Sequence, residues 1–322
     1  MNTVDFRVYE KNWDAQPAGA MRTTEMAKSH KPFRSAGFIG WLPLALLPSA
    51  ALASRQLLQP WAFMWTLAIS IYLGLKWVTW WSVRGLVPHP SWRSAAYLLA
   101  WPGMDARSFL DETSHPPMPH LRDWFWASFD TALGAIPFWF GARTFPQEHP
   151  LLRGWTGMLG LILLLHFGSF RIAALLWQSR GVDASPIMSA PLRSQSLSQF
   201  WGKRWNLGFR QLAHDLIFVP ANKYVPVAWA TMLVFLVSGL IHDLVISVPA
   251  QGGYGLPTGY FLLQGFGVIL ERSPFGKHFG LGTGLPGWSF MVLFTAGPVF
   301  WLFHPLFVTR VIVPFMKASH AL

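Results

Sequence analysis

The chain has no cysteine among its 322 residues. Without thiols it forms no disulfide, offers no thiolate nucleophile and builds no zinc–thiolate site. Charged side chains are also scarce, at 12% of the chain, which is about half the share that a soluble domain carries. Hydrophobic residues make up 52% and the mean hydropathy is +0.33. The composition therefore predicts a polytopic membrane protein.

Acidic residues are few, with 14 Asp and Glu against 25 Lys and Arg and a formal net charge of +11. The basic residues flank apolar segments and do not form one stripe, so anionic lipid headgroups explain the charge better than nucleic acid does. We therefore expect membrane lipids as partners and no nucleic acid. The 19 Trp and 26 Phe fit aromatic belts at both membrane interfaces.

The apolar runs begin after a polar stretch. Residues 1–35 have mixed charge and no apolar core of signal-peptide type, which predicts a cytosolic tail. Residues 36–322 are predicted to form a single membrane domain. A helix needs about 20 mostly apolar residues to cross a bilayer. The clear candidates for crossings are residues 36–53, 58–82, 154–177, 225–248 and 288–315, and the weaker ones are 124–141 and 256–271.

We predict an all-α polytopic membrane protein with about seven to nine transmembrane helices and further interfacial or re-entrant helices. Two segments are suited to the interfacial or re-entrant role, 92–104 and 207–222. With seven crossings most Lys and Arg fall on one side, which places the N-terminus and the basic loop 171–223 in the cytosol. Glu271 ends one of the weaker spans and is expected to face solvent or a loop.

One predicted span contains ionisable side chains. His242 and Asp243 interrupt the apolar run VPVAWATMLVFLVSGLIHDLVISV, residues 225–248. Ionisable groups at membrane depth are costly, and they usually line a cavity or a reaction path. At about 100° per residue, Ser238 shares a helix face with His242, whereas Leu240 lies opposite. This small, polar face predicts a lined chamber, and the alternative is a helix–helix hydrogen bond without chemistry.

A basic and aromatic segment, SLSQFWGKRWN, precedes that span at residues 196–206. Its aromatic rings suit the membrane interface, and its cations suit anionic headgroups or a soluble anionic substrate. The alternative is an ordinary basic juxtamembrane helix, in which Trp201 is a packing or interface anchor. The candidate substrate-binding residues here are Trp201, Lys203, Arg204, Trp205 and Arg210.

These two segments, SLSQFWGKRWN followed by SGLIHDL, resemble the wax-synthase branch of the membrane-bound O-acyltransferase (MBOAT) family. Three further stretches are similar to that branch: YLLAWPGMD (97–105), LLHFGSFRIAALLW (164–177) and HPLFVTRVIVPFM (304–316). The resemblance covers roughly residues 90–316. Asp243 is a departure, because glutamate often follows the histidine in that branch, and the role of this carboxylate is left open.

The resemblance implies acyl-CoA-dependent transfer of a fatty acyl group to a hydroxyl, inside a chamber that the helices enclose. By motif position His242 would be the catalytic base and Asn206 its partner. Ser238 and Asp243 are added as candidate substrate-binding residues. Acyl-CoA would be a substrate, and no cofactor or metal is expected. The acceptor stays open among a long-chain alcohol, a sterol, a diacylglycerol and a polar lipid headgroup, and the oligomeric state is also open.

Three other classes compete with this interpretation. A transporter would use His242 and Asp243 as a proton or solute site, but the internal repeats that support such folds are not visible. A haem or quinone protein would use His166 and His242 as axial ligands. A membrane prenyltransferase would need Asp-rich magnesium motifs, which the isolated Asp residues do not supply.

Overall fold

The computed structural model describes residues 37–322, and the predicted tail of residues 1–35 lies outside that range. The regular structure of the described part is helical, as the sequence predicts. In chain order its main helices are α1 (Gly37–Ala53), α2 (Pro60–Val83), α3 (Ser91–Ala100), α4 (Ala106–Leu110), α5 (Leu121–Trp139), α6 (Pro150–Gln178), α7 (Leu207–Ala213), α8 (Val227–Ala250), α9 (Leu256–Arg272), α10 (Pro274–His278) and α11 (Gly284–Leu302). Further helical turns occupy 191–193, 197–204, 214–221 and 305–318. The assignment of 36–322 to one domain stays a prediction.

Four of the described helices, α2, α6, α8 and α11, are long and apolar enough to cross a membrane. The shortest of them, α11, has 19 residues, which at about 1.5 Å per residue nearly matches a hydrocarbon core of about 30 Å. Helix α1 is apolar but has 17 residues, and α5 and α9 fall on the two weaker candidate spans. The predicted total of seven to nine crossings stays a prediction.

Glycine lets neighbouring helices pack closely. A Cβ on Gly134 of α5 would lie 2.3 Å from the backbone nitrogen of Leu164 in α6, and one on Gly160 would lie 2.7 Å from the nitrogen of Phe138. Small residues at such contacts are the usual way in which membrane helices approach one another, because lipid supplies no hydrophobic driving force between them. Helices α5 and α6 therefore form a tight pair.

Two of the long helices widen into π-helical turns next to their histidines. In α6 the π-helical stretch is Leu163–Ser169, which contains His166. In α8 it is Asp243–Ser247, which begins directly after His242. Such insertions are rare in helices and are often found at functional sites. Both histidines thus lie where the helix geometry departs from regular α.

The predicted span 288–315 is wrong as a single helix. Helix α11 ends at Leu302, and a new helix begins at Pro305. The residue before a proline is disfavoured in the α region, so the break falls at His304. The buried His304 ring then caps the new helix, because its Nδ1 accepts the backbone N–H of Phe307 at 3.2 Å.

Of the two surroundings predicted for Glu271, solvent is wrong, and the side chain instead faces residues of the loop 171–223. Its side chain is buried, with 4% of the residue exposed. Its two carboxylate oxygens accept the backbone N–H groups of Leu197 (2.7 Å) and Ser198 (2.8 Å). The end of α9 therefore packs onto the start of the basic and aromatic segment, a contact between residues far apart in sequence.

Lys76 of α2 is fully buried and connects that helix to the stretch 97–105. Its Nζ donates to the carbonyl of Gly103 at 2.6 Å and lies 3.2 Å from the centroid of the Tyr97 ring. A buried polar group needs such a hydrogen-bond partner to offset the loss of water. Lys76 thus holds the turn that follows the end of α3 at Ala100.

The largest hydrophobic cluster brings the two motif segments together. It includes Phe200 from the basic and aromatic segment, Phe235 from α8 and Phe261 from α9, all buried. Trp201 and Trp205 pack against it. The core therefore places the segment before α7 beside the helix that carries His242.

Candidate active site

His242 lies on α8 and is held by its own helix. Its Nδ1 is 2.7 Å from the backbone carbonyl oxygen of Ser238, one turn earlier. Because a carbonyl oxygen only accepts hydrogen bonds, Nδ1 must carry the proton. The neutral ring then has its lone pair on Nε2, which makes no hydrogen bond to any described residue. Nε2 is thus the atom of this ring that can take up a proton.

Ser238 contributes its carbonyl to this arrangement. It is the residue that the sequence analysis placed on the same face as His242, as a substrate-binding candidate. The structure shows that its backbone fixes which nitrogen of the ring is protonated. Whether its hydroxyl contacts substrate stays a prediction.

Phe261 of α9 packs against the imidazole, with the two ring centroids 4.4 Å apart and the planes at 41°. The sequence analysis did not single out this residue, because nothing along the chain indicates which aromatic side chain faces His242. Gly239 allows the contact: a Cβ there would lie 2.8 Å from the Thr258 Cα and 3.3 Å from the Phe261 Cβ. The face of α8 that carries His242 is therefore packed on α9.

The opposite face of α8 is exposed, as the helical periodicity predicts. Leu233 and Leu240 are 39% and 55% exposed. A groove of about 530 Å³ opens on this side, and the residues that line it are Leu240, Asp243, Leu244, Val248, Tyr254, Gly255, Thr258, Gly259 and Leu262. His242 is not one of them, so the chamber expected around it stays a prediction.

Trp201 reaches α8 and α9 from the basic and aromatic segment. Its ring centroid lies 5.7 Å from that of Phe261 and 5.9 Å from that of Phe235. Its indole N–H donates to the Gln264 side-chain oxygen at 3.3 Å. Trp201 and His242 thus both pack against Phe261. This supports the interpretation of Trp201 as a packing anchor close to the histidine.

Trp205 lies between two further aromatic rings. It stacks on Phe200 at 5.4 Å and 15°, and on the His166 ring at 6.2 Å and 18°. This places His166, from the stretch 164–177, against the segment that ends in Asn206. The haem interpretation of His166 and His242 needs both rings on one iron, whereas here each histidine ring lies against a different aromatic side chain.

Asn206 occupies the left-handed region of backbone space, with φ 44° and ψ 58°, directly before α7. Asparagine tolerates this conformation better than most residues. The turn is held from residues 187–189: the N–H of Leu207 donates to the Ile187 carbonyl at 2.9 Å, and the N–H of Asn206 contacts the Met188 sulfur at 3.2 Å. No hydrogen bond in the described part joins Asn206 to His242, so their partnership stays a prediction.

Asp243 is engaged by protein donors on both carboxylate oxygens. One oxygen accepts from the Ser247 hydroxyl (2.8 Å) and the Gly255 N–H (2.9 Å). The other accepts from the N–H of Thr258 (3.1 Å) and from its hydroxyl. These contacts cap the start of α9, where a carboxylate is stabilised by the helix dipole. The structure therefore gives this residue a role within the fold, and substrate contact stays a prediction.

The candidate anion-binding side chains differ in their surroundings. Lys203 is exposed, whereas Arg204 donates to the Ser189 carbonyl at 3.1 Å. Burial lowers the pKa of the Arg204 guanidinium below its ordinary value, and the positive charge of Arg193 lowers that pKa further. Burial also lowers the pKa of Arg210, which the charge of Asp215 opposes. Arg193, absent from the sequence-based candidates, thus belongs to the same basic surface.

The chain matches known proteins over the part that contains both motif segments. Residues 184–263 match the sequence model of the group described as "Membrane bound O-acyl transferase family". This range includes Asn206, His242 and Phe261.

Among individual proteins, "Probable long-chain-alcohol O-fatty-acyltransferase 2" of Arabidopsis thaliana is 29% identical over 150 residues, 42% of each chain. "Probable long-chain-alcohol O-fatty-acyltransferase 8" of the same plant is 31% identical, over 36% of this chain and 37% of its own. "Long-chain-alcohol O-fatty-acyltransferase" of Simmondsia chinensis is 30% identical over 28% of each. The similarity spans 36% to 42% of the length of the first curated relatives.

The family match, the relatives and four apolar helices agree with the order of the two motifs and with the helical fold. The family match and the four apolar helices indicate an integral membrane protein. Its resemblance to the membrane-bound O-acyltransferase family, and to the long-chain-alcohol O-fatty-acyltransferases of the wax-synthase branch, is confirmed over the part of the chain that contains both motifs.

Proposed function

We propose that the protein is an O-acyltransferase that moves a fatty acyl group from acyl-CoA to the hydroxyl of a lipophilic alcohol. The single observation that carries the proposal is the state of His242, a histidine on an apolar helix whose Nδ1 is fixed as a donor and whose Nε2 is left with a lone pair. The names of the relatives supply the class of reaction. They favour acyl transfer over the transporter alternative.

In the proposed reaction Nε2 of His242 accepts the proton of the alcohol while the alcohol oxygen attacks the thioester carbon. The tetrahedral intermediate then expels the CoA sulfur, which takes the proton from the imidazolium and leaves as a thiol. Proton transfer by a positioned base typically contributes about 10²–10⁴-fold to a rate. The Nδ1 hydrogen bond to Ser238 also stabilises the imidazolium that forms between these steps.

Asn206 is proposed to act on the thioester oxygen. Its side-chain amide makes no hydrogen bond to the described residues, and its backbone is fixed by residues 187–189. A fixed amide N–H that is aimed at a developing oxyanion lowers the barrier, and removing such a donor typically costs about 10²–10³ in rate. The same amide is also suited to orienting the alcohol.

The donor is proposed to bind by its phosphates at the basic surface formed by Arg193, Lys203 and Arg204, with Arg210 nearby. The Arg204 Nε is buried without a hydrogen-bond partner among the described residues. Two arginine charges that repel each other are stabilised by an anion between them. The positive-inside bias predicts that this surface and the N-terminus lie in the cytosol, where acyl-CoA is dissolved.

The acceptor is proposed to be a long-chain alcohol, since this is the acceptor that the names of the relatives print. A sterol, a diacylglycerol and a polar lipid headgroup were equally open from the sequence. The acceptor is tested by supplying each alcohol separately with the same labelled acyl-CoA and comparing the esters that form.

The test of the activity uses purified protein in lipid vesicles with a labelled fatty acyl-CoA and a long-chain alcohol. We expect one ester and one free CoA thiol per turnover, and since the chain has no cysteine, a thiol reagent reports released CoA alone. His242→Ala should lower turnover by about 10²-fold or more. The matched control is His149→Ala, which removes an exposed imidazole. Ester formation at the native rate in His242→Ala contradicts the assignment of the base.

A further inference from the structure

Helix α9 contacts both motif segments at three points along its length. At its start, Asp243 accepts the N–H groups of Gly255 and Thr258. Near its middle, Phe261 packs against His242 and Trp201. At its end, Glu271 accepts the N–H groups of residues 197 and 198. One rigid element thus joins the histidine helix to the segment that leads to Asn206.

The contact at Glu271 attaches the start of that segment to α9. The side chain is buried, and it satisfies two N–H groups at the first turn of Leu197–Gln199, which have no acceptor within their own helix. The neighbouring Arg272 donates its Nε–H to the Ser198 hydroxyl at 2.9 Å. Two consecutive side chains of α9 therefore hold the same two residues of the segment.

The spacing along α9 then sets a distance in the site. Phe261 and Glu271 are ten positions apart, which is about 15 Å along a helix. The first residues of the segment contact Glu271, and Trp201 farther along packs against Phe261. The segment ends at Asn206, directly before α7. Displacement of its first residues would change where Asn206 lies relative to His242.

We propose that Glu271 is a positioning residue: its carboxylate anchors the start of the segment 197–206 to α9, and thereby sets the place of Asn206 and the basic surface relative to His242. The effect on turnover rests on the proposed function, whereas the anchoring does not. Misplacement of a reacting group by about 1 Å can cost about 10²-fold in rate. Glu271 needs no contact with substrate to have this effect.

The test combines two substitutions with two readouts. Glu271→Ala removes both acceptor oxygens, and Glu271→Gln keeps one but sets an amide N–H against the other backbone N–H. The first readout is kcat at saturating acyl-CoA, which we expect to fall about 10–100-fold in Glu271→Ala and less in Glu271→Gln. The thermal midpoint is measured on the same samples. A purely structural role predicts a lower midpoint with native turnover in the protein that remains folded.

The second readout is the mobility of the segment and is independent of catalysis. Because the chain has no cysteine, Lys203→Cys gives one thiol for a spin label at an exposed position of the segment. We expect the label to become more mobile in both Glu271 variants. A label at Tyr224→Cys, exposed before α8, should be unchanged.

The matched control is Asp123→Ala, which removes a carboxylate that accepts a backbone N–H, that of His120 at 3.1 Å, at the start of α5. Turnover in this variant, and the mobility of the spin label at Lys203→Cys, should be the same as without the Asp123 substitution. Native turnover together with a native label spectrum, in whichever Glu271 variant folds, overturns the proposal. Absence of ester formation in the native protein rejects the proposed function instead, and the label spectra then still decide whether Glu271 anchors the segment.

Discussion

The hydrogen bond from His242 Nδ1 to the Ser238 carbonyl is a local contact with a chemical consequence. It is formed by two residues four positions apart on one helix, so it needs no other part of the fold. The contact selects one tautomer and leaves Nε2 to accept a proton. The tautomer of the proposed base is thus set by its own helix, whereas the Phe261 ring that packs against it comes from another helix.

Asn206 allows the side chain to be tested apart from the backbone. Its φ of 44° is strained for alanine but not for glycine. We expect Asn206→Gly to keep the turn and the fold, and to lower kcat about 10²–10³-fold with acyl-CoA binding retained, because the amide donor is lost. Turnover by purified protein and binding of a non-hydrolysable acyl-CoA analogue measure the two effects. A variant that loses binding but keeps its kcat would remove Asn206 from the chemistry.

At the scale of helices, the site depends on how closely α8 and α9 approach. Gly239 is the point of contact, since any side chain there would overlap the Thr258 backbone. Asp243 fixes the same two helices from the next turn. The two contacts together hold Phe261 against the imidazole.

Gly239→Ala tests this approach. We expect the added methyl group to push the helices apart, at a cost of about 1–3 kcal/mol, and to lower turnover by moving Phe261 away from His242. Gly259→Ala is the matched control on α9, because a Cβ there meets only the Trp301 ring, at an ordinary 3.7 Å. Thermal unfolding and ester formation are measured for both. Equal behaviour of the two variants would show that the close contact at Gly239 is not needed.

At the scale of the whole molecule, the distribution of charge predicts how the helices cross the membrane. Helix α8 is long enough to span the bilayer, and a crossing there would put the segments at its two ends on opposite sides. The basic side, with Lys203 and Arg204, is predicted to be cytosolic. Acyl-CoA and the lipid alcohol would then reach the site from different phases.

Single cysteines in the cysteine-free chain measure this orientation. Lys203→Cys and Tyr254→Cys place exposed thiols before and after α8. In sealed vesicles with the cytosolic face outward, we expect an impermeant maleimide to label position 203 and to label position 254 only after detergent is added. Vesicles of opposite orientation serve as the control and should reverse the pattern. Labelling of both positions from one side would contradict the topology.

The sequence was sufficient for features that depend on local pattern. Apolar runs of membrane length predicted α2, α6 and α8, and helical periodicity predicted the exposed face of α8. The order of the two motifs predicted the resemblance to the family, and the match over residues 184–263 confirms that resemblance. The span at 288–315 was predicted wrongly, because hydropathy averages over His304 and Pro305 and does not detect the break between two helices.

By itself the sequence determined that the chain is a helical membrane protein that resembles this family and that His242 interrupts an apolar run, because both follow from hydropathy and spacing along the chain. Only the tertiary structure decided that Phe261 faces His242, that Asp243 caps α9 and that Glu271 is buried against residues 197 and 198. The physical reason is that each of these contacts joins residues about 15 to 75 positions apart, and their partners are set by helix packing, which no periodicity along the chain encodes.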